Sequence, residues 1–131
     1  MNARGTQEPG GGKDDVAWTR RRDALAKTPG VATVTRELPG DRTLSLAYVR
    51  TGPGASTPVL VLPGGPGMAS VMPYRRFRAA AAKHGLDVLM VEHRGVGLSR
   101  KTTDGIDLRP EEITIRDTLA DLVAVLDAEG L

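Results

Sequence analysis

Residues 59–67 read Val-Leu-Val-Leu-Pro-Gly-Gly-Pro-Gly, an unbroken apolar run that passes directly into a turn of glycine and proline. An apolar run without alternation is what a strand needs when both of its faces are covered, as in a parallel sheet flanked by helices. Proline then ends the strand because it brings no N–H to a ladder, and glycine reaches backbone angles that other residues avoid. The stretch therefore constrains the chain to a layered α/β arrangement with a tight loop at the end of an interior strand. Such a turn can also aim backbone N–H groups at a developing negative charge, because no Cβ blocks the approach.

The segments on either side agree with this reading. Residues 1–14 are polar and glycine-rich, with nothing to bury, and are expected to be a disordered tail. The folded domain is expected to span residues 15–131. It opens with a short helix over 15–27, capped by Asp14 or Asp15, with Val16, Trp18 and Leu25 as its apolar contacts. Residues 31–37 and 43–49 alternate as half-buried strands do, with Pro39-Gly40-Asp41 between them, which predicts an antiparallel hairpin at a sheet edge. After the apolar strand at 59–62, a helix is expected over 73–83 and a second apolar strand over 86–91. Ile115, Leu119, Leu122, Val123 and Leu126 then fall at helical spacing, and Thr114 with Asp117 resembles a capping box. A helix in such a sheet leads to a further strand, so Gly130 and Leu131 read as a helix stop and the start of that strand, and the chain is expected to be cut there.

Composition excludes several classes. The 131 residues contain no cysteine and only His84 and His93, so disulfides, thiolate metal sites and a histidine metal cluster are not expected. The formal net charge is only +2, and the cluster Arg20-Arg21-Arg22 reads as a solvated helix face rather than a nucleic-acid contact. No apolar run approaches the ~20 residues that span a bilayer, and the N-terminus lacks the pattern of a secretory signal. A cytoplasmic location without nucleic-acid or membrane partners is the expectation. No P-loop is present. Gly95-Val96-Gly97 is followed by Arg100 where a dinucleotide fingerprint needs glycine, and Asp104, Asp107, Glu111 and Glu112 read as a solvated acidic run.

Two motifs remain, each after an apolar strand: Pro63-Gly64-Gly65-Pro66-Gly67, and Glu92-His93-Arg94-Gly95-Val96-Gly97-Leu98-Ser99. Together they resemble the α/β-hydrolase family, specifically its proline-iminopeptidase-like branch. That branch carries His-Gly-Gly-Pro-Gly after its third strand and Asp-Gln-Arg-Gly-x-Gly-x-Ser after its fourth. The resemblance covers residues 31–131 and implies the N-terminal half of a hydrolase sheet, with an antiparallel start followed by parallel strands.

On that resemblance, Gly65 supplies a backbone N–H to an oxyanion hole, with Gly64 as the neighbouring candidate. Loss of one such donor costs about 3–4 kcal/mol of transition-state stabilisation. Pro63 stands where the family has histidine, and a cis Gly65–Pro66 bond is expected in so tight a turn. Arg94 is expected to hold nearby carboxylates or carbonyls. His93, at the family's glutamine position, reads as a loop histidine, and Ser99 lacks the second glycine of Gly-x-Ser-x-Gly. The nucleophile is implied on a turn after a fifth strand, with its acid and base later still. No catalytic residue, metal ligand or cofactor is therefore assigned within these residues, and the chain alone is expected to be inactive.

The implied parent activity is release of an N-terminal proline or similar residue from peptides, with an esterase of the same fold as the near alternative. A non-catalytic piece is the other alternative. It would self-associate, or pair with a complementing C-terminal half, through the open strand edge at Val59–Leu62.

Overall fold

A computed structural model of the protein describes residues 13–54, 57–64 and 67–131. Its elements run α1 (Lys13–Ala26), β1 (Val31–Leu38), β2 (Arg42–Thr51), β3 (Val59–Val61), α2 (Arg75–Lys83), β4 (Val88–Val91) and α3 (Ile115–Ala128). Short 3-10 turns lie at Gly97–Ser99 and Pro110–Glu112. The helix expected from residue 15 begins at Lys13, and the remainder of the expected tail, residues 1–12, lies outside the described residues.

The four strands form one mixed sheet in the order β1-β2-β4-β3. β1 and β2 pair antiparallel, with Val31 opposite Val49 and Leu38 opposite Arg42. β2 and β4 are also antiparallel, whereas β3 and β4 are parallel, with Val61 opposite Met90. The sheet thus has the antiparallel start and parallel continuation expected of the sequence. β1 and β3 are its two edges.

Side-chain alternation along β2 and β4 divides the core into two layers. Leu44, Leu46 and Tyr48 of β2 join Leu89 and Val91 of β4 on one face, where Leu122 and Val125 of α3 cover them. Ala47, Val49 and Met90 point to the other face, against Leu25 of α1, Val71 and Leu98. Each fully buried Leu or Val contributes about 1.5–3 kcal/mol relative to an exposed one. Among the described residues no helix is long and apolar enough to cross a membrane.

Local chemistry sets the helix ends. Thr114 Oγ1 accepts the Asp117 N–H at 3.1 Å, which caps α3 where the capping pattern places it. At the other end Gly130 takes φ +68°, and the Leu131 and Gly130 N–H groups return to the Leu126 and Asp127 carbonyls. That is a Schellman stop, which needs a residue tolerant of positive φ. α2 starts at Arg75 rather than Pro73, because residues 70–74 are used in turns closed by the Tyr74 N–H on the Ser70 carbonyl. In α1, Leu25 is buried but Val16 is exposed, so the expected apolar contact of Val16 is not made.

The rotation of α3 differs from the spacing argument. Leu122 and Val125 are buried with Asp121, while Ile115, Leu119 and Val123 are exposed. The helix turns this way because Asp121 is held at the sheet by two arginines, Arg36 of β1 and Arg94 of the loop after β4.

Candidate functional site

β3 and β4 run parallel, so the loops that leave them emerge at the same end of the sheet. These loops carry the two sequence motifs. A single carboxylate joins them. Glu92, the first residue after β4, is buried, and its Oε1 accepts the Ser70 N–H at 2.7 Å and the Val71 N–H at 3.2 Å. Its Oε2 accepts the Leu98 N–H at 3.0 Å. One side chain therefore ties the return arm of the glycine turn to the second motif. Ser70 adds a bond from its Oγ to the Val91 carbonyl at 3.3 Å.

The second motif closes tightly around this carboxylate. Gly97 has φ +50°, and a Cβ there would lie 2.6 Å from Glu92 Cδ and 2.7 Å from its Oε2. No other residue type fits without displacing the carboxylate. Ser99 is fully buried and its Oγ accepts the Ala47 N–H at 3.0 Å, which pins the loop to β2. The Gly95 N–H reaches the Ser99 carbonyl at 2.8 Å. Ser70 and Ser99 hydroxyls are both engaged with backbone, and among the described residues neither meets a histidine.

Arg94 holds a carboxylate and a carbonyl, as expected. Its Nε and Nη2 bond the two Asp121 oxygens at 2.6 and 2.7 Å, and Nη1 bonds the Glu112 carbonyl at 2.8 Å. The hydrogen bond to Asp121 raises the pKa of this guanidinium against the opposing effect of its burial. Glu112 is not part of a solvated acidic run. It is buried, receives the Arg109 N–H at 2.8 Å and pairs with the Arg42 guanidinium. Asp107 does face solvent and pairs with Arg100. No group of three or more His, Asp or Glu able to hold a metal ion occurs among the described residues.

Gly64 is exposed at the rim of this assembly, and a Cβ built on it would meet nothing within 4 Å. Gly65 and the Gly65–Pro66 bond lie outside the described residues. His93 is half-buried beside the second motif, and its Nδ1 has no hydrogen-bond partner among the described residues. Two shallow cavities of about 370 and 350 Å³ flank the junction of the loops. Gly97, Ala69 and Arg21 of α1 line both of them.

Beneath α2, Arg78 is buried with its Nη1 3.6 Å from Met90 Sδ. Desolvation lowers its pKa, and the Glu92 charge opposes that shift. In the sequence Glu92 is only the first residue of the second motif, and its clamping role rests on donors distant along the chain. The sign available was an acidic residue directly after a wholly apolar strand, where burial demands hydrogen-bond donors.

Fold and site together define a mixed, open α/β sheet with two braced loops at the C-terminal end of a parallel strand pair. No family model, curated protein or solved structure matches the chain.

Proposed function

We propose that residues 31–131 are the N-terminal part of an α/β-hydrolase domain, and that the turn after β3 supplies one half of its oxyanion hole from Gly65 and Gly64. The observation that carries this reading is the Glu92 carboxylate, which fastens the arm of the glycine turn to the second motif. Open α/β sheets hold ligands at the C-terminal ends of their strands. Stabilising an oxyanion requires donors fixed in place before the charge develops, and the buried Glu92 carboxylate anchors the segment that follows the turn through the Ser70 and Val71 N–H groups.

The parent reaction is acyl transfer. A serine hydroxyl attacks the substrate carbonyl carbon while a histidine takes its proton, the oxyanion settles on the N–H donors, the histidine passes the proton to the departing amine or alcohol, and water then releases the acyl group from the serine. The two motifs favour a peptide with an N-terminal proline or similar residue as substrate, with an ester as the variant on the same fold. The 131 residues contain no Gly-x-Ser-x-Gly. The chain alone is therefore silent toward both substrates. Assays with a proline nitroanilide and a nitrophenyl ester test this, together with labelling by a fluorophosphonate. The expected result is no turnover and no labelled serine in the 131-residue chain. A chain extended by the segment encoded after codon 131 is labelled at one serine. Turnover by the shorter chain, or an unlabelled extended chain, overturns the proposal.

A second reading rests on the edge at β3. Val59 and Leu62 are exposed there, and a cavity of about 290 Å³ opens beside Thr57, Pro58, Leu60, Leu89, Leu126 and Leu131. An apolar strand edge of this kind recruits another strand. On this reading the chain is a non-catalytic piece completed by a second polypeptide, and esterase or peptidase activity is absent from the pair as well.

A further inference from the structure

Helix α3 carries a second apolar stripe, on the side away from the sheet. Ile115 is 81% exposed, Leu119 57% and Val123 56%, at i, i+4 and i+8 spacing, which stacks them along one line of the helix. Three large aliphatic side chains in one exposed row form a contiguous apolar patch, the kind of surface that marks an interaction site.

The charges beside the stripe identify what covers it. Arg116 and Asp127 are both exposed and stand about three turns apart, so they lie nearly one above the other on the same flank of the stripe. Leu119 and Val123 straddle the midpoint between them. A second copy of α3 laid antiparallel across that midpoint brings Arg116 of each helix to Asp127 of the other, with the aliphatic row between. The arrangement is isologous and closes on itself. These two charges are also placed against the helix macrodipole, a cation in the first turn and an anion in the last, each unfavourable in an isolated helix. Neither has an ion-pair partner among the described residues.

We infer that the chain forms an antiparallel homodimer through α3, with Leu119 and Val123 at the centre and two Arg116–Asp127 pairs at the ends. This goes beyond the hydrolase reading and is independent of it, because the surface lies on α3 and not on the loops at the end of β3 and β4. One helix face is a small interface, of the class that makes weak, reversible contacts.

Sedimentation equilibrium of the 131-residue chain and four variants tests the inference. The parent is expected to be a dimer at micromolar concentration. Leu119→Glu is expected to be monomeric throughout. Arg116→Asp and Asp127→Arg each weaken the dimer roughly tenfold, because each replaces two attractive pairs with repulsive ones. The double variant Arg116→Asp/Asp127→Arg returns to within about threefold of the parent, since it restores the pairs and also suits the macrodipole. Circular dichroism is expected to be unchanged in all four, because the substituted side chains are exposed. A parent that stays monomeric overturns the inference. So does a dimer that Leu119→Glu leaves intact, which would place the contact at the β3 edge. Failure of the charge swap to restore association overturns the register.

Discussion

Arg94 and Asp121 form a two-pronged buried pair, Nε to Oδ2 at 2.6 Å and Nη2 to Oδ1 at 2.7 Å, and this contact locks α3 to the loop after β4. Arg36 Nε adds a third bond to Asp121 Oδ1 at 2.9 Å. Breaking one side of a buried pair is costly because the other charge stays behind without its partner. Asp121→Asn is therefore expected to destabilise by about 3–5 kcal/mol, read as a lower urea midpoint. Arg36→Ala is expected to cost less, since Arg36 is partly exposed and leaves the Arg94 pair intact. Equal losses for the two variants would contradict this ranking.

The Glu92 clamp makes a second prediction. Glu92→Gln keeps size but turns one acceptor oxygen into an N–H₂ group, which faces a backbone donor that needs an acceptor. A buried donor left unsatisfied costs about 1–3 kcal/mol, and more where a charged acceptor is lost. Amide exchange at Ser70, Val71 and Leu98 is expected to accelerate in Glu92→Gln beyond the change at the β1–β2 ladder. Uniform acceleration across the sheet would show that the carboxylate does not hold these loops in particular.

Glycine at 97 is required by the same carboxylate. Gly97→Ala meets both a positive φ and a contact of 2.6 Å with Glu92 Cδ. Gly40 also has positive φ, +77°, but a Cβ there meets nothing within 4 Å. Gly40→Ala therefore carries only the backbone term, about 1–2 kcal/mol. Gly97→Ala is expected to exceed it, and thermal denaturation of the two variants checks the order.

Glu112 gives the chain an acid-sensitive contribution to stability. Burial acts to raise its pKa, but the Arg109 N–H and the Arg42 guanidinium outweigh it and hold the carboxyl below its ordinary value of 4.5. A group depressed in the folded state stabilises fully above its unfolded pKa and loses that contribution as pH falls through the folded one. The stability of the parent is expected to fall below about pH 4.5 more steeply than that of Glu112→Gln. Urea midpoints at neutral and acid pH compare them, and parallel curves would remove Glu112 from the acid response.

Much of this architecture was legible in the sequence, because local rules decided it. Continuous apolar runs marked β3 and β4, although β3 lies at the sheet edge with Val59 exposed rather than covered on both faces; the Thr114–Asp117 cap and Gly130 marked α3, and alternation marked the hairpin. What was not legible depends on partners distant along the chain. The burial of Glu112 follows from Arg42, and the rotation of α3 follows from Arg36 and Arg94. Periodicity alone put Ile115, Leu119 and Val123 with Leu122, since it cannot say which flank of an apolar helix a buried carboxylate will pull inward. The braced loop junction was visible only as two motifs. That one side chain joins them required three backbone donors from two loops to converge.

The most direct test of the hydrolase proposal is to determine the coding sequence beyond codon 131. A short apolar strand leading into Gly-x-Ser-x-Gly is expected there, with an acidic residue and a histidine further on. Absence of that strand and serine from the continuing frame and from both neighbouring frames would contradict it.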